Sequence, residues 1–332
     1  MTRTVLFHEY GGPEVLRIED VETAAPGRGE VLVKVEAIGL NRAEALFRSG
    51  LYIEQARSFP ARLGTEAAGV VEEVGPDVAG LAPGDPVSVI PAFSPNDYGV
   101  YADRAVVPAA AVLRRPEGVG AVAGAAVWMP YLTAYGALVE VGGMRPGDTV
   151  LVNAASSSVG VAALHVAARL GATAVALTRT DAKREALLKE GAAHVVATST
   201  QDVTQAVREI TGGAGVNVVL DAVAGPGVRE LTALTAPDGI HLVHGFLSGE
   251  PTPFPHLDLG MPAVALRTYL VHEITTHPER LRRAAAFISA GLRSGDFRAT
   301  VDRTFDLGEV VAAHRYLDDE TRVGKTVLTV SR

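Results

Sequence analysis

The residues best placed to do chemistry lie between positions 149 and 183, in the run TVLVNAASSSVGVAALHVAARLGATAVALTRTDAK. Small side chains from Ala154 through Ser156, Ser157 and Ser158 to Val159 and Gly160 leave room for a diphosphate to approach the backbone. The first amides of a helix have no partner within it, and the helix dipole adds its attraction for an anion. The G-x-G-x-x-G spacing is not kept: serines stand at 157 and 158 where glycines are expected, and only Gly160 remains. Serine is still small, and its hydroxyl donates to phosphate. A buried crossover with no ligand would use similar residues, so the turn alone leaves both readings open.

The far end of the same unit weighs on that choice. Thr178 and Arg179 close the next strand, and Lys183 and Arg184 follow. A carboxylate at such a strand end holds the ribose hydroxyls of NAD, whereas cations suit the extra phosphate of NADP. Asp181 lies near the spacing of that carboxylate but comes after the strand, where it reads as the N-cap of a helix from Ala182. Arg179 and Lys183 have the competing reading of solvated surface charges. The pattern favours NADPH.

These side chains need a strand, a turn and a helix to hold them. Thr149–Val152 is an apolar, β-branched run suited to a strand buried on both faces. From Val161 a helical period puts Val161, Leu164, His165 and Ala168 on one face, with Gly171 as the C-cap and Thr173–Thr178 as the next strand. Further on, the pattern predicts a helix over 182–190, a strand at His194–Ala197 and a helix over 203–211. A strand at Val216–Asp221 ends in an acid, and one over 239–245 ends in glycine. Strand–helix alternation of this kind predicts an α/β protein with a doubly wound parallel sheet, its ligand at the carboxyl ends of the strands. His165 on the apolar face reads as a core histidine. His241, His244 and His272 show no metal-ligand spacing with nearby acids.

Residues 1–122 read differently, as short strands over 31–36, 69–74, 81–89 and 101–107 separated by Gly and Pro turns, the pattern of a compact barrel-like domain. The stretch 122–139 is almost uncharged, too polar and Pro-broken for a membrane, and suits buried helices. After Thr268 the alternation stops. An amphipathic helix at Pro278–Ser294, strands over 301–307 and 325–330, and a helix between them are expected to return to the first domain. That gives 1–122 with 268–332 as one domain and 123–267 as the other.

The bulk properties narrow the class. With 332 residues, 48% hydrophobic and 20% charged, the chain has the balance of a globular enzyme with an extensive core. A net charge of −8 with no basic cluster argues against general nucleic-acid affinity. No cysteine is present, which excludes disulfides and thiolate catalysis and removes the commonest zinc ligand. The N-terminal text does not read as a signal peptide, and a cytoplasmic location is the expectation.

Several blocks in one order resemble the medium-chain dehydrogenase/reductase superfamily, and within it the zinc-independent quinone oxidoreductases of the zeta-crystallin type. They are EYGGPEVL (9–16), GEVLVKVEAIGLNRAE (29–44), RSGLY (48–52), LGTEAAGVVEEVG (63–75), PGDPV, YLTAYGAL (131–138), the nucleotide turn and VGKTVL (323–328). The resemblance covers essentially the whole chain. It implies a GroES-like β-rich catalytic domain, a Rossmann cofactor domain, and a homodimer or homotetramer. The positions of the catalytic zinc ligands are matched here by Asn41, Thr65 and Met129; Glu66 survives, and the lobe for structural zinc has no counterpart. One carboxylate does not make a three-ligand site, so no metal is expected.

What the resemblance implies for the site is residue-specific. Asn41 and Tyr52 match catalytic positions, Tyr52 as the phenol that binds the acceptor oxygen or relays a proton, while Leu46 replaces a companion tyrosine. Each has a plainer reading, Asn41 as a turn residue and Tyr52 as an aromatic that packs on substrate. Thr133, Val223, Gly245 and Phe246 match positions lining the nicotinamide, and Asn41 shares that lining. Thr198 matches a position near the adenine phosphate and Arg267 one at the domain junction. Lys325 reaches the cofactor or is a surface lysine. Leu46, Tyr52, Phe93, Met129 and the segment 256–267 are expected to shape the acceptor pocket. The implied activity is metal-free hydride transfer from NADPH to a quinone or α,β-unsaturated carbonyl. The alternatives are an enoyl reductase acting on a thioester or specialised-metabolite alkene, for which Arg42, Arg48, Arg57 and Arg62 offer weak support, and a non-catalytic NADPH-binding protein.

Overall fold

The computed structural model describes residues 1–260, 263–319 and 321–331. It separates into two compact units: Met1–Met129 with Arg298–Arg332, and Pro130–Phe297. The boundary expected at 122/123 therefore falls at 129/130, inside the helix Ala121–Tyr135 rather than at its start. Residues 268–297, expected with the first domain, join the second. The reason is packing: Phe287 lies against Tyr135 with ring centroids 5.0 Å apart, and Phe297 against Tyr131 at 4.7 Å. Below Phe297 and Phe287, the Arg169 guanidinium covers both rings.

In the first unit the strand Glu30–Gly39 is the centre of a seven-stranded sheet. Ala67–Val74 runs antiparallel along one side of it and Lys325–Thr329 along the other. Ile38 faces Ala67 and Gly39 faces Val327 across those ladders. The register brings Glu66, just before one flanking strand, and Lys325, first in the other, to the end of Glu30–Gly39. The helix Arg42–Arg48 begins three residues beyond that end, after Leu40 and Asn41. A smaller sheet of Leu16–Val21, Thr2–Phe7 and Ala61–Arg62 completes the unit. Ala37, Ala68, Ala125, Ala126 and Val327 form a tight core of small side chains behind the same strand.

The second unit holds one six-stranded parallel sheet in the order His194–Ala197, Thr173–Thr178, Thr149–Val152, Val216–Asp221, Thr235–Val243, Ala265–Thr268. Numbered along this unit, that order is 3-2-1-4-5-6, the doubly wound arrangement of a Rossmann domain. The α/β expectation therefore holds, and four of its strands run over the predicted residues. The strand expected over 239–245 instead spans Thr235–Val243, and the edge strand Ala265–Thr268 carried no clear sequence signal. Its core is built from Leu151, Val175, Leu177, Val196 and Val219, the inward residues of those runs. Among the described residues, Ala121–Val141 is the one helical stretch long and apolar enough to cross a membrane, and it is mostly buried inside the protein.

Candidate active site

In the second unit the reversal of strand order falls between Thr149–Val152 and Val216–Asp221, where a ligand crevice is expected. The turn after the first of these strands is tightly built. Ala154 takes a left-handed φ of 55°, and Ser157 caps the helix Ser158–Leu170 by accepting the Gly160 amide at 3.0 Å. That cap starts the helix three residues before the predicted Val161. A Cβ on Gly160 would lie 2.5 Å from the Ala155 carbonyl oxygen, so only glycine permits this approach of helix to turn. The amides at the helix start are thereby aimed out of the turn, as anion binding requires.

Lys183 reaches back to this turn, its ammonium donating to Ser156 Oγ at 2.9 Å. Thr178 and Arg179 sit beside it at the strand end, where their carbonyls accept the amides of Thr198 and Ser199 at 2.8 and 2.9 Å. The structure thus gathers Ser156, Ser157, Ser158, Val159, Gly160, Thr178, Arg179, Lys183 and Thr198 at one end of the sheet. Asp181 does not cap a helix as expected. Thr180 holds that position, and the Asp181 carboxylate takes Arg184 Nε at 2.6 Å.

Val223 and Gly245 each lie two residues past the end of one of the next two strands, Val216–Asp221 and Thr235–Val243. Asp221 holds the first turn, accepting Asn153 Nδ2 at 2.9 Å and the amides of Val223 and Ala224 at 2.8 and 3.1 Å. Against the upward push of burial, bonds from His241 and the Val223 amide keep its carboxyl below the usual range. Gly245 is glycine because the Ala222 backbone fills the space a Cβ would need. Phe246 is exposed, and Thr133 is buried within its helix. Arg267 stands apart on the edge strand, paired with Glu273 at 2.7 Å. Residues 261 and 262 of the pocket-shaping segment 256–267 lie outside the described residues.

In the first unit the end of Glu30–Gly39 carries a buried polar cluster. Lys325 is not a surface lysine: it is 1% exposed, with Nζ donating to Glu66 Oε2 at 2.6 Å and to Asn41 Oδ1 at 2.5 Å. Glu66 Oε1 accepts the Met129 amide at 2.7 Å. Gly39 has no room for a side chain, since a Cβ would lie 2.6 Å from Glu66 Oε2 and 2.9 Å from Lys325 Cε. Asn41 starts the helix Arg42–Arg48, with its amide donating to Glu44 Oε2 at 2.7 Å. Glu44 also accepts Thr65 Oγ1 at 3.1 Å, and burial holds its carboxyl above the usual range despite the nearby Lys325 charge.

Tyr52 stands near this cluster, its ring edge-on to Phe47. Burial, helped by the Glu44 and Glu54 carboxylates, pushes its phenol up to about 12. It remains a neutral donor throughout the range in which enzymes work. Sequence reasoning missed Glu44 as part of the site. The signal was present, because Asn41 followed three residues later by Glu44 has the spacing of a capping box.

Two linked features now define a class: a GroES-like unit ending in a buried polar cluster, and a Rossmann unit with a cation-rimmed phosphate turn. Such a protein is a pyridine-nucleotide oxidoreductase. Residues 27–117 match the alcohol dehydrogenase GroES-like domain and residues 158–290 the zinc-binding dehydrogenase domain. A quinone oxidoreductase of Pseudomonas aeruginosa is 32% identical and a 2-haloacrylate reductase of Burkholderia is 31% identical, each over 99% of both chains. The quinone oxidoreductase of Escherichia coli, solved as a complex with NADPH, superposes with a TM-score of 0.92 at 29% identity, covering 99% of this chain and 100% of its own. The chain belongs to the medium-chain dehydrogenase/reductase superfamily, in its quinone oxidoreductase-like family.

Zinc does not fit the residues present. Among the described residues no three His, Asp or Glu side chains gather into a ligand set. The single carboxylate of Asn41, Thr65, Glu66 and Met129 is already neutralised by an ammonium 2.6 Å away, so a divalent ion would meet a fixed positive charge. The dinucleotide does fit the second unit, whose turn leaves amides, serine hydroxyls and a lysine facing one place.

Proposed function

We propose that the protein is an NADPH-dependent reductase transferring hydride, without a metal ion, to a quinone or α,β-unsaturated carbonyl. The observation that carries this reading is the turn 154–160, with Lys183 drawn against Ser156 at its rim. The amides of Ser158 and Val159 and the Ser156 and Ser157 region, kept accessible by the bare Gly160, hold the diphosphate; Arg179 and Lys183, with Thr178 and Thr198 beside them, hold the additional ribose phosphate. Val223, Gly245, Phe246 and Thr133 are assigned to the nicotinamide end. Arg267 and Lys325 have partners of their own, and we assign neither to the cofactor.

When bound, NADPH supplies the hydride. Quinones and acrylates, the compounds for which the relatives are named, share an electron-poor double bond conjugated to oxygen. Hydride addition to that system leaves charge on the oxygen. Asn41 donates a hydrogen bond to it, and Tyr52, protonated at any working pH, delivers or relays the proton that completes the reduction. We further place the protein in the cytoplasm as a homodimer or homotetramer, which light scattering on the eluted protein reads directly.

The test is a fluorescence titration with NADPH and NADH, followed by absorbance at 340 nm with a quinone, an enone and an enoyl thioester. Tighter NADPH binding and oxidation by the quinone or enone are expected. Oxidation by the thioester alone makes the protein an enoyl thioester reductase. Binding with no oxidation by any acceptor makes it a non-catalytic NADPH-binding protein.

A further inference from the structure

The Lys325 ammonium is buried, and among the described residues its hydrogen-bond partners are Asn41 Oδ1 at 2.5 Å and Glu66 Oε2 at 2.6 Å. An ammonium has three donors and no lone pair, so the atom of the Asn41 amide that faces it must be the oxygen. This settles a choice that an asparagine otherwise leaves open, because its two ends are nearly isosteric. With the oxygen claimed, the amide's NH2 is the other end. Among the described residues it makes only long contacts, 3.3 Å to the Gly39 carbonyl and 3.5 Å to Glu66 Oε2. It is therefore a donor open to a stronger acceptor.

We infer that Lys325 is a positioning residue for the reduction, its buried ammonium fixing the Asn41 amide so that the NH2 end, not the carbonyl, meets the acceptor oxygen. The inference rests on the reading of Asn41 as the donor to that oxygen. Charge development makes the orientation matter. An N–H aimed at a forming enolate or hydroquinone oxygen stabilises it, and a carbonyl in the same place repels it. Glu66 supplies the opposite pull. Without the ammonium, its ionised carboxylate would draw Asn41 Nδ2 inward and turn the oxygen out. Gly39 belongs to the device, since any side chain there would displace the Lys325 stem and the Glu66 carboxylate.

A double-mutant cycle on the full-length protein tests this, with Lys325→Met, Asn41→Ala and both together, reading kcat, the acceptor KM and the NADPH dissociation constant. Lys325→Met should lower kcat at least tenfold while the NADPH dissociation constant stays within twofold. In the Asn41→Ala background the same change should lower kcat less than threefold, because the group it acts through is gone. Losses that add, or a loss confined to NADPH affinity, overturn the inference and leave Lys325 a structural or cofactor residue. If Lys325→Met fails to fold with Glu66 uncompensated, the cycle is run with Lys325→Gln, a shorter neutral side chain that keeps a donor for the carboxylate, under the same criteria. Wild-type turnover is measured first. Its absence with every quinone and enone overturns the proposed function and this inference with it, whereas wild-type turnover with additive losses overturns this inference alone.

Discussion

Replacing Gly160 by alanine tests the phosphate turn at its tightest point. The new methyl would lie 2.5 Å from the Ala155 carbonyl oxygen and 2.6 Å from its C and Cα, all backbone atoms that no rotamer can move. The helix start must retreat by most of an ångström. Overpacking of that kind costs about 1–3 kcal/mol, and the Ser157 cap, which needs the Gly160 amide at 3.0 Å, contributes about 1 kcal/mol more. The unit should lose about 2–4 kcal/mol, a fall in Tm of about 5–10 °C. The same displacement moves the first amides of the helix Ser158–Leu170. Misplacing one charge-assisted bond to the diphosphate costs about 1.5–3 kcal/mol, so NADPH should bind at least about tenfold more weakly. Differential scanning fluorimetry with and without NADPH reads both effects. Ser157→Ala is the control for stability, removing the cap without the overpacking for about 1 kcal/mol. An unchanged Tm and unchanged NADPH affinity in Gly160→Ala would refute the steric account.

Three further outcomes follow from the same geometry. Arg179→Ala with Lys183→Ala should weaken NADPH about 100-fold more than NADH, each lost charge-assisted bond being worth about 1.5–3 kcal/mol; equal losses for both coenzymes would remove the phosphate assignment. Tyr52→Phe should lower kcat about 100-fold with cofactor affinity unchanged. Because burial raises the wild-type phenol to about 12, no alkaline loss of activity below that pH should disappear in the variant. Buried His314, with its pKa pushed down to about 3 by desolvation, should remain neutral in the folded protein. Its folded pKa lies below its unfolded value, so this contribution is complete above about pH 6.5 and is lost at about 1.4 kcal/mol per unit as pH falls toward 3. His314→Phe should flatten that acid limb in denaturant titrations at pH 7, 5.5 and 4.5; an unaltered slope would sink the assignment.

The sequence by itself determined the elements whose signal is local. Thr149–Val152, Thr173–Thr178, His194–Ala197 and Val216–Asp221 were readable because a strand buried on both faces must be a short continuous apolar run, and Pro278–Ser294 because an amphipathic helix repeats every 3.6 residues. The phosphate turn was visible for the same reason: its small residues are contiguous. Where that helix begins was less visible, since the Ser157 cap depends on a turn geometry that serine only permits. Tertiary structure alone decided the rest. The partition of 268–297 rests on rings of Phe287 and Phe297 meeting Tyr135 and Tyr131 from distant parts of the chain. Lys325 read equally well as a surface or a cofactor lysine because its partners, Asn41 and Glu66, lie 284 and 259 residues away. Only the pairing of two strands against Glu30–Gly39 brings that ammonium, that carboxylate and that amide to one point, and no pattern along the chain encodes such a register.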